Sequence, residues 1–137
     1  MEIEFGNLSF STDEQGRLFL DKCYFIDNSS RKGSLQMTPA FDLAGGTSSG
    51  CVNLASPEAT GELRYVSHTV EENKLSLLQA CAGVEILSVY ERFEDTNAIR
   101  VTQTLKNVGN EPFCLELLGT VNLPFGESIY EHRDWYL

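Results

Sequence analysis

The sequence predicts an all-β fold, an antiparallel β-sandwich. Hydrophobic and polar residues alternate with a period of two in several segments, the pattern of strands with one buried face. Clusters of Gly, Asn, Asp and Ser separate these segments at short intervals, as hairpin turns do. No segment shows a long helical periodicity. We therefore expect about seven to nine short strands in a single domain that covers residues 1–137.

The amino-terminal half predicts three strands. Residues 3–10 and 17–26 are two strands joined by the polar turn 12–16, and residues 62–70 form the third. Residues 27–33 and the Gly- and Ser-rich residues 42–50 are predicted loops.

The carboxyl-terminal half predicts a four-stranded meander at about 74–123. Residues 74–81 and 84–93 are its first two strands, and Ile99, Val101 and Leu105 give the third an apolar face on which Gln103 is the exception. The turn-forming residues 106–111 then predict a hairpin to a fourth strand, in which Gly119 marks a bulge.

Composition and charge narrow the possible partners. Hydrophobic residues make up 42% of the chain and charged residues 22%, as in a globular domain. Twenty acidic and ten basic residues leave a formal net charge of −10, which repels phosphate, so we expect no binding to nucleic acid or to an anionic membrane. The charge serves mainly solubility. No apolar run is long enough to span a bilayer, and the acidic start does not resemble a secretion signal.

The cysteines favour a reducing compartment. Cys23, Cys51, Cys81 and Cys114 are far apart and form no CxxC pair, so we expect neither a metal site nor a cofactor. Cys23 and Cys114 lie in apolar runs and are predicted to be buried thiols. Together with the start of the chain, they predict a cytoplasmic protein.

Motifs that would indicate catalysis are weak. Residues 46–50 match G-x-S-x-G but lack the flanking strand and helix of a nucleophile elbow. His68 is expected to be a strand residue that faces water. Acidic residues cluster at Glu91, Glu94 and Asp95, and again at residues 71–72, as a chain with twenty carboxylates will show by chance. We therefore assign no catalytic residue.

The residues near position 132 combine aromatic rings with hydrogen-bonding groups. His132, Asp134, Trp135 and Tyr136 are the candidate substrate-binding residues, because a ring covers the C–H groups of a sugar while polar side chains bind its hydroxyls. The alternative is a last strand that packs Trp135 on the sandwich.

Residues 84–123 resemble a stretch of a known domain. Tyr90 to Arg100 has the pattern Y-x-x-F-E-D-x-x-x-I-R, and a Lys-Asn-x-Gly turn follows at 106–109. This strand–turn–strand is similar to one in the N-terminal domain of glycoside hydrolase family 36, the α-galactosidases or melibiases. The similarity extends over about forty residues, whereas the first seventy residues match only in general character.

The resemblance implies a non-catalytic role. In that family the β-sandwich precedes a (β/α)₈ barrel, whose two aspartates hydrolyse terminal α-galactosides with retention of configuration. The chain would be the N-terminal domain excised from such an enzyme. It would pack on the barrel, meet the galactoside only through the parent enzyme, support a homo-oligomer and form part of the pocket rim near Trp135. The alternatives are a free-standing carbohydrate-binding module and a protein-interaction scaffold.

Overall fold

The computed structural model describes residues 1–24, 26–27, 37–43, 61–96 and 98–120. Within these residues the chain forms ten β-strands: β1 (Glu2–Phe5), β2 (Leu8–Thr12), β3 (Leu18–Cys23), β4 (Ile26–Asp27), β5 (Ala40–Leu43), β6 (Arg64–Glu71), β7 (Lys74–Cys81), β8 (Val84–Phe93), β9 (Ala98–Asn107) and β10 (Leu115–Gly119). The predicted loop 27–33 lies almost wholly outside the described residues, as does most of 42–50.

Strands β6, β7, β8 and β9 form an antiparallel meander in chain order. Two-residue turns join the first three strands, because Glu71 pairs with Lys74 and Cys81 pairs with Val84. Gly83 has a φ of +79°, a conformation common in tight hairpin turns that side chains with a Cβ adopt at a cost. Phe93 pairs with Ala98 across the predicted turn between β8 and β9.

The meander is present but displaced by one strand from the predicted range. It spans β6 to β9, residues 64–107, and β10 pairs with β5 in a separate two-stranded sheet. The chain does not turn back along β9: β10 pairs with β5, and the amides of Val108 and Gly109 just after β9 donate to the Gly83 carbonyl at 2.8 and 3.0 Å. The predicted hairpin at 106–111 is therefore wrong: alternation identifies a strand but not its neighbour. The bulge in β10 lies between Leu115 and Leu117 rather than at Gly119.

The predicted first strand is in fact a hairpin. Strands β1 and β2 pair antiparallel, and Phe5 opposite Leu8 closes a turn in which Gly6 has a φ of +58°. Strand β3 then pairs with β2, and the two-residue strand β4 extends the sheet to four strands in the order β1-β2-β3-β4. The Gly6-Asn7 pair between Phe5 and Leu8 is a two-residue hairpin signal that the prediction did not use.

The three sheets form the two layers of a β-sandwich. One face of the meander packs against sheet β1–β4 in a cluster that includes Phe10, Leu75, Leu77 and Tyr90. The same face packs against the β5–β10 sheet in a second cluster, around Phe41, Val84 and Ile86. Burial of each such side chain contributes about 1.5–3 kcal/mol relative to an exposed position, and the two clusters hold the layers together.

The described residues include no helix with the length and hydrophobicity that a membrane span requires.

Candidate functional site

The four predicted sugar-binding residues, His132, Asp134, Trp135 and Tyr136, lie outside the described residues. The G-x-S-x-G match at 46–50 and Cys51 lie outside them as well. Their assignment stays a prediction. Any site that the structure defines must therefore come from the two layers themselves.

The motif at Tyr90 to Arg100 forms the hairpin of β8 and β9, and its tyrosine is structural. The Tyr90 ring is buried and meets the Phe10 ring edge-on, with 5.1 Å between centroids and 63° between planes. Burial raises the pKa of Tyr90 to about 12, even though the neighbouring Thr38 hydroxyl lowers it. A phenol in this position anchors the hairpin to the amino-terminal sheet.

The charged residues of the motif face the other way. Arg100 donates to the Glu91 carboxylate directly across the two strands, and its guanidinium also lies 5.5 Å from the centroid of the Phe93 ring. Glu94 and Asp95 are exposed in the turn that follows Phe93. The carboxylate cluster noted in the sequence is thus divided between an ion pair on the sheet and the tip of a hairpin.

The described residues contain no group of three or more His, Cys, Asp or Glu side chains that could hold a metal ion.

The cysteines differ from the sequence prediction. Cys23 is half-buried rather than fully buried, and Cys114 is exposed, so the prediction of a buried Cys114 is wrong. Its apolar neighbours belong to the approach to β10, where the chain lies on the surface. Burial raises the pKa of the Cys23 thiol, and burial together with the Glu62 charge raises that of Cys81. Neither of these two thiols is tuned to act as a nucleophile.

His68 lies on the exposed strand β6, as the sequence predicts, and it has a partner that the sequence did not indicate. The Tyr65 hydroxyl lies 2.8 Å from Nδ1 of His68, and the two ring centroids are 6.0 Å apart. The bulge between Tyr65 and Ser67 brings the two side chains to one side of the strand although they are three residues apart.

The second face of the meander, which we call the outer face, is an open surface of the described residues. On β7 and β8 the buried residues alternate with residues that contact solvent, and the solvent-contacting residues of the four strands lie in register. At the centre of the outer face are Leu78, Leu87 and Val89, and Leu87 is 37% exposed although it lies on an interior strand. Leu77, adjacent in sequence to Leu78 but on the inner face, is 0% exposed.

The outer face has a hydroxyl-rich surround and charged residues at both ends. Hydroxyl side chains flank the apolar centre on the outer strands: Ser67, Thr69, Thr102 and Thr104. At the hairpin end, one row of register partners carries charges that alternate in sign across the sheet: Glu71, Lys74, Glu91 and Arg100. The sequence did contain a signal for this surface: Leu and Val occupy positions that the alternating pattern predicts to be exposed to solvent. The prediction did not use it.

Comparisons of the chain with protein-family models, with curated proteins and with solved structures gave no significant match. The fold class, a β-sandwich with one open sheet face, therefore rests on the structure, and the resemblance to a glycoside hydrolase domain is a resemblance of the sequence motif alone.

Proposed function

We propose that this chain is a non-catalytic β-sandwich domain of an α-galactosidase-like glycoside hydrolase, and that it works through contacts with other protein surfaces. The chemistry, hydrolysis of terminal α-galactosides with retention, would belong to a (β/α)₈ barrel of the parent enzyme. The chain would pack on that barrel, support a homo-oligomer, and contribute to the rim of the sugar pocket through the candidate residues His132, Asp134, Trp135 and Tyr136. The parent would act in the cytoplasm.

The observation that carries this proposal is the position of the motif residues. Tyr90 holds the β8–β9 hairpin to the core, whereas Glu91 and Arg100 lie as an ion pair on the outer face. A resemblance carried by such residues supports a shared structural domain rather than a shared active site. It favours a role in assembly.

Capture of the native protein from its source cells tests the proposal. An antibody against the 137-residue chain would retrieve it, and the retrieved species would be weighed by mass spectrometry and assayed on a nitrophenyl α-galactoside. We expect a mass several times 15.3 kDa and turnover of the galactoside, while the purified 137-residue chain shows no turnover. A captured species of 15.3 kDa without activity would contradict the proposal.

A sugar titration separates this role from that of a free-standing binding module. We expect the purified chain to give a flat calorimetric titration with galactosides up to roughly millimolar concentration, the range of weak sugar sites. Saturable binding that is lost in Trp135→Ala would replace the proposed domain with a carbohydrate-binding module. The matched control is Phe93→Ala, which removes an aromatic ring that is 43% exposed at the end of β8 instead.

A further inference from the structure

We infer that the outer face of the meander binds the same face of a second copy of this chain. The two sheets would stack face to face and be related by a two-fold axis. The axis would lie between the two sheets, run parallel to the strands, and pass midway between β7 and β8. This inference deepens the oligomeric part of the proposed function and rests on that part alone. It does not require that the parent be a glycosidase.

The charged row gives the first argument, because it is complementary to itself. Read from β6 to β9 its signs are minus, plus, minus and plus. The two-fold axis reverses the order of the strands, so β6 lies over β9 of the second copy. Glu71 then meets Arg100 of the second copy, and each charge in the row meets its opposite. An isologous interface requires such a pattern, in which each contact occurs twice.

The centre of the face is complementary under the same operation. Strand β7 lies over β8 of the second copy, which places Leu78 opposite Leu87 twice, once on each side of the axis. Val89 then meets Ser76, and at the margin Thr69 meets Thr102 while Ser67 meets Thr104. Two sheets stacked at about 10 Å interdigitate such side chains, and a rotation of about 30° between them leaves long charged side chains within reach of their partners. The result is an apolar centre with a polar rim, the usual anatomy of an interface.

Like charges at the opposite end of the outer face and the small area of the face both limit the strength of the contact. At that end Lys106 of the second copy would approach the edge strand β6 near Arg64, whose guanidinium donates to the carbonyls of Gly61 and Leu63 at 2.6 and 2.9 Å, and the two cations repel. The four strands cover about 19 by 27 Å, so each copy contributes roughly 500 Å² in projection. This is below the roughly 800 Å² per partner of a standard interface, so we expect a weak dimer, with a Kd in the range of tens to hundreds of micromolar.

A mixing experiment with two charge reversals tests the inference. Glu71 and Arg100 lie on opposite edges of one sheet, about 14 Å apart, so salt screens their interaction within a chain. Glu71→Lys alone and Arg100→Glu alone would each create two like-charge contacts and weaken dimerisation roughly ten-fold. In an equal mixture, the lysine introduced by Glu71→Lys in one variant faces the glutamate introduced by Arg100→Glu in the other, and the unchanged Arg100 faces the unchanged Glu71. We expect the mixture to recover the association of the unmodified chain.

Sedimentation equilibrium at roughly 0.1 M salt, up to roughly 500 µM protein, is the measurement. The matched controls are Glu14→Lys and Lys22→Glu, which reverse exposed charges away from the outer face and should leave association unchanged. Lys106→Thr removes the repulsion at the far end and should tighten the dimer. A monomer at the highest concentration, or a mixture that associates no better than the single variants, would overturn the inference. If the captured native protein shows no galactosidase activity, the proposal that the parent is an α-galactosidase would be refuted. The conclusion about association through the outer face would be unaffected.

Discussion

Deletion of the same side-chain atoms from each face of the meander measures how differently the two faces contribute to stability. Leu77 lies on the inner face of β7 with 0% exposure, and Leu87 lies on the outer face of β8 with 37% exposure. Leu→Ala removes carbons whose burial is worth about 0.8 kcal/mol each, or about 2.4 kcal/mol for three. At Leu77 a cavity adds to this loss, so we expect Leu77→Ala to cost about 3–4 kcal/mol.

Leu87→Ala should cost much less. Its side chain is already partly in water, so we expect a loss of at most about 1.5 kcal/mol, and no closed cavity forms. Urea unfolding followed by circular dichroism would show the midpoint lowered by about 1–2 M for Leu77→Ala and by less than about 0.7 M for Leu87→Ala. Both should be measured at roughly micromolar protein, where a weak dimer is dissociated. Equal losses, or a larger loss for Leu87→Ala, would refute the assignment of the two faces.

Three further predictions concern stability. The pKa of Tyr90 is raised from 10.0 to about 12 in the folded chain, because burial favours the neutral phenol. The contribution of the neutral phenol to the free energy of unfolding is therefore fully present below pH 10 and is lost as the pH rises to 12. The loss should be about 2–3 kcal/mol over that range in urea titrations, and Tyr90→Phe should remove this component. Gly83→Ala forces a side chain into a left-handed turn and should cost about 1–2 kcal/mol, whereas Gly61→Ala, where a Cβ would meet open space, should be tolerated. Partial burial raises the pKa of Asp13, but hydrogen bonds from the backbone and guanidinium of Arg17 outweigh it and hold the pKa below 3.8. Asp13→Asn should therefore destabilise the chain at neutral pH, by up to about 1 kcal/mol, and the difference should vanish as pH falls through the pKa of the folded state; thermal melts that show a constant difference down to about pH 2 would contradict this.

The alternation of hydrophobic and polar residues predicted most of the strands of the meander but not which strands pair with one another. Strand β7 begins and ends where its pattern predicts, and Gln103, the polar exception on the apolar face of β9, lies 3.3 Å from the Ser88 hydroxyl across the strand. The pairing of β10 with β5 could not be predicted, because the two strands are more than seventy residues apart and no local pattern couples them. The split of the first strand could have been predicted, because the Gly6-Asn7 pair is a local hairpin signal and Gly6 has the positive φ that such a turn favours.

The candidate surface was harder to predict than the fold, because it is defined by register. In the sequence, the charged residues of the row are up to twenty-nine residues apart: Glu71, Lys74, Glu91 and Arg100. Only the three pairings between neighbouring strands, β6 with β7, β7 with β8 and β8 with β9, bring them into one row of alternating sign. A shift of one residue in any one pairing would move part of the row to the inner face and remove the self-complementarity. The same strands bury Tyr90 and expose Glu91, so one hairpin both anchors the sandwich and supplies half of the charged row. Folding and association therefore depend on opposite faces of the same strands. A substitution confined to the outer face can then change association while the free energy of unfolding stays nearly constant, which is what makes the two roles separable by experiment.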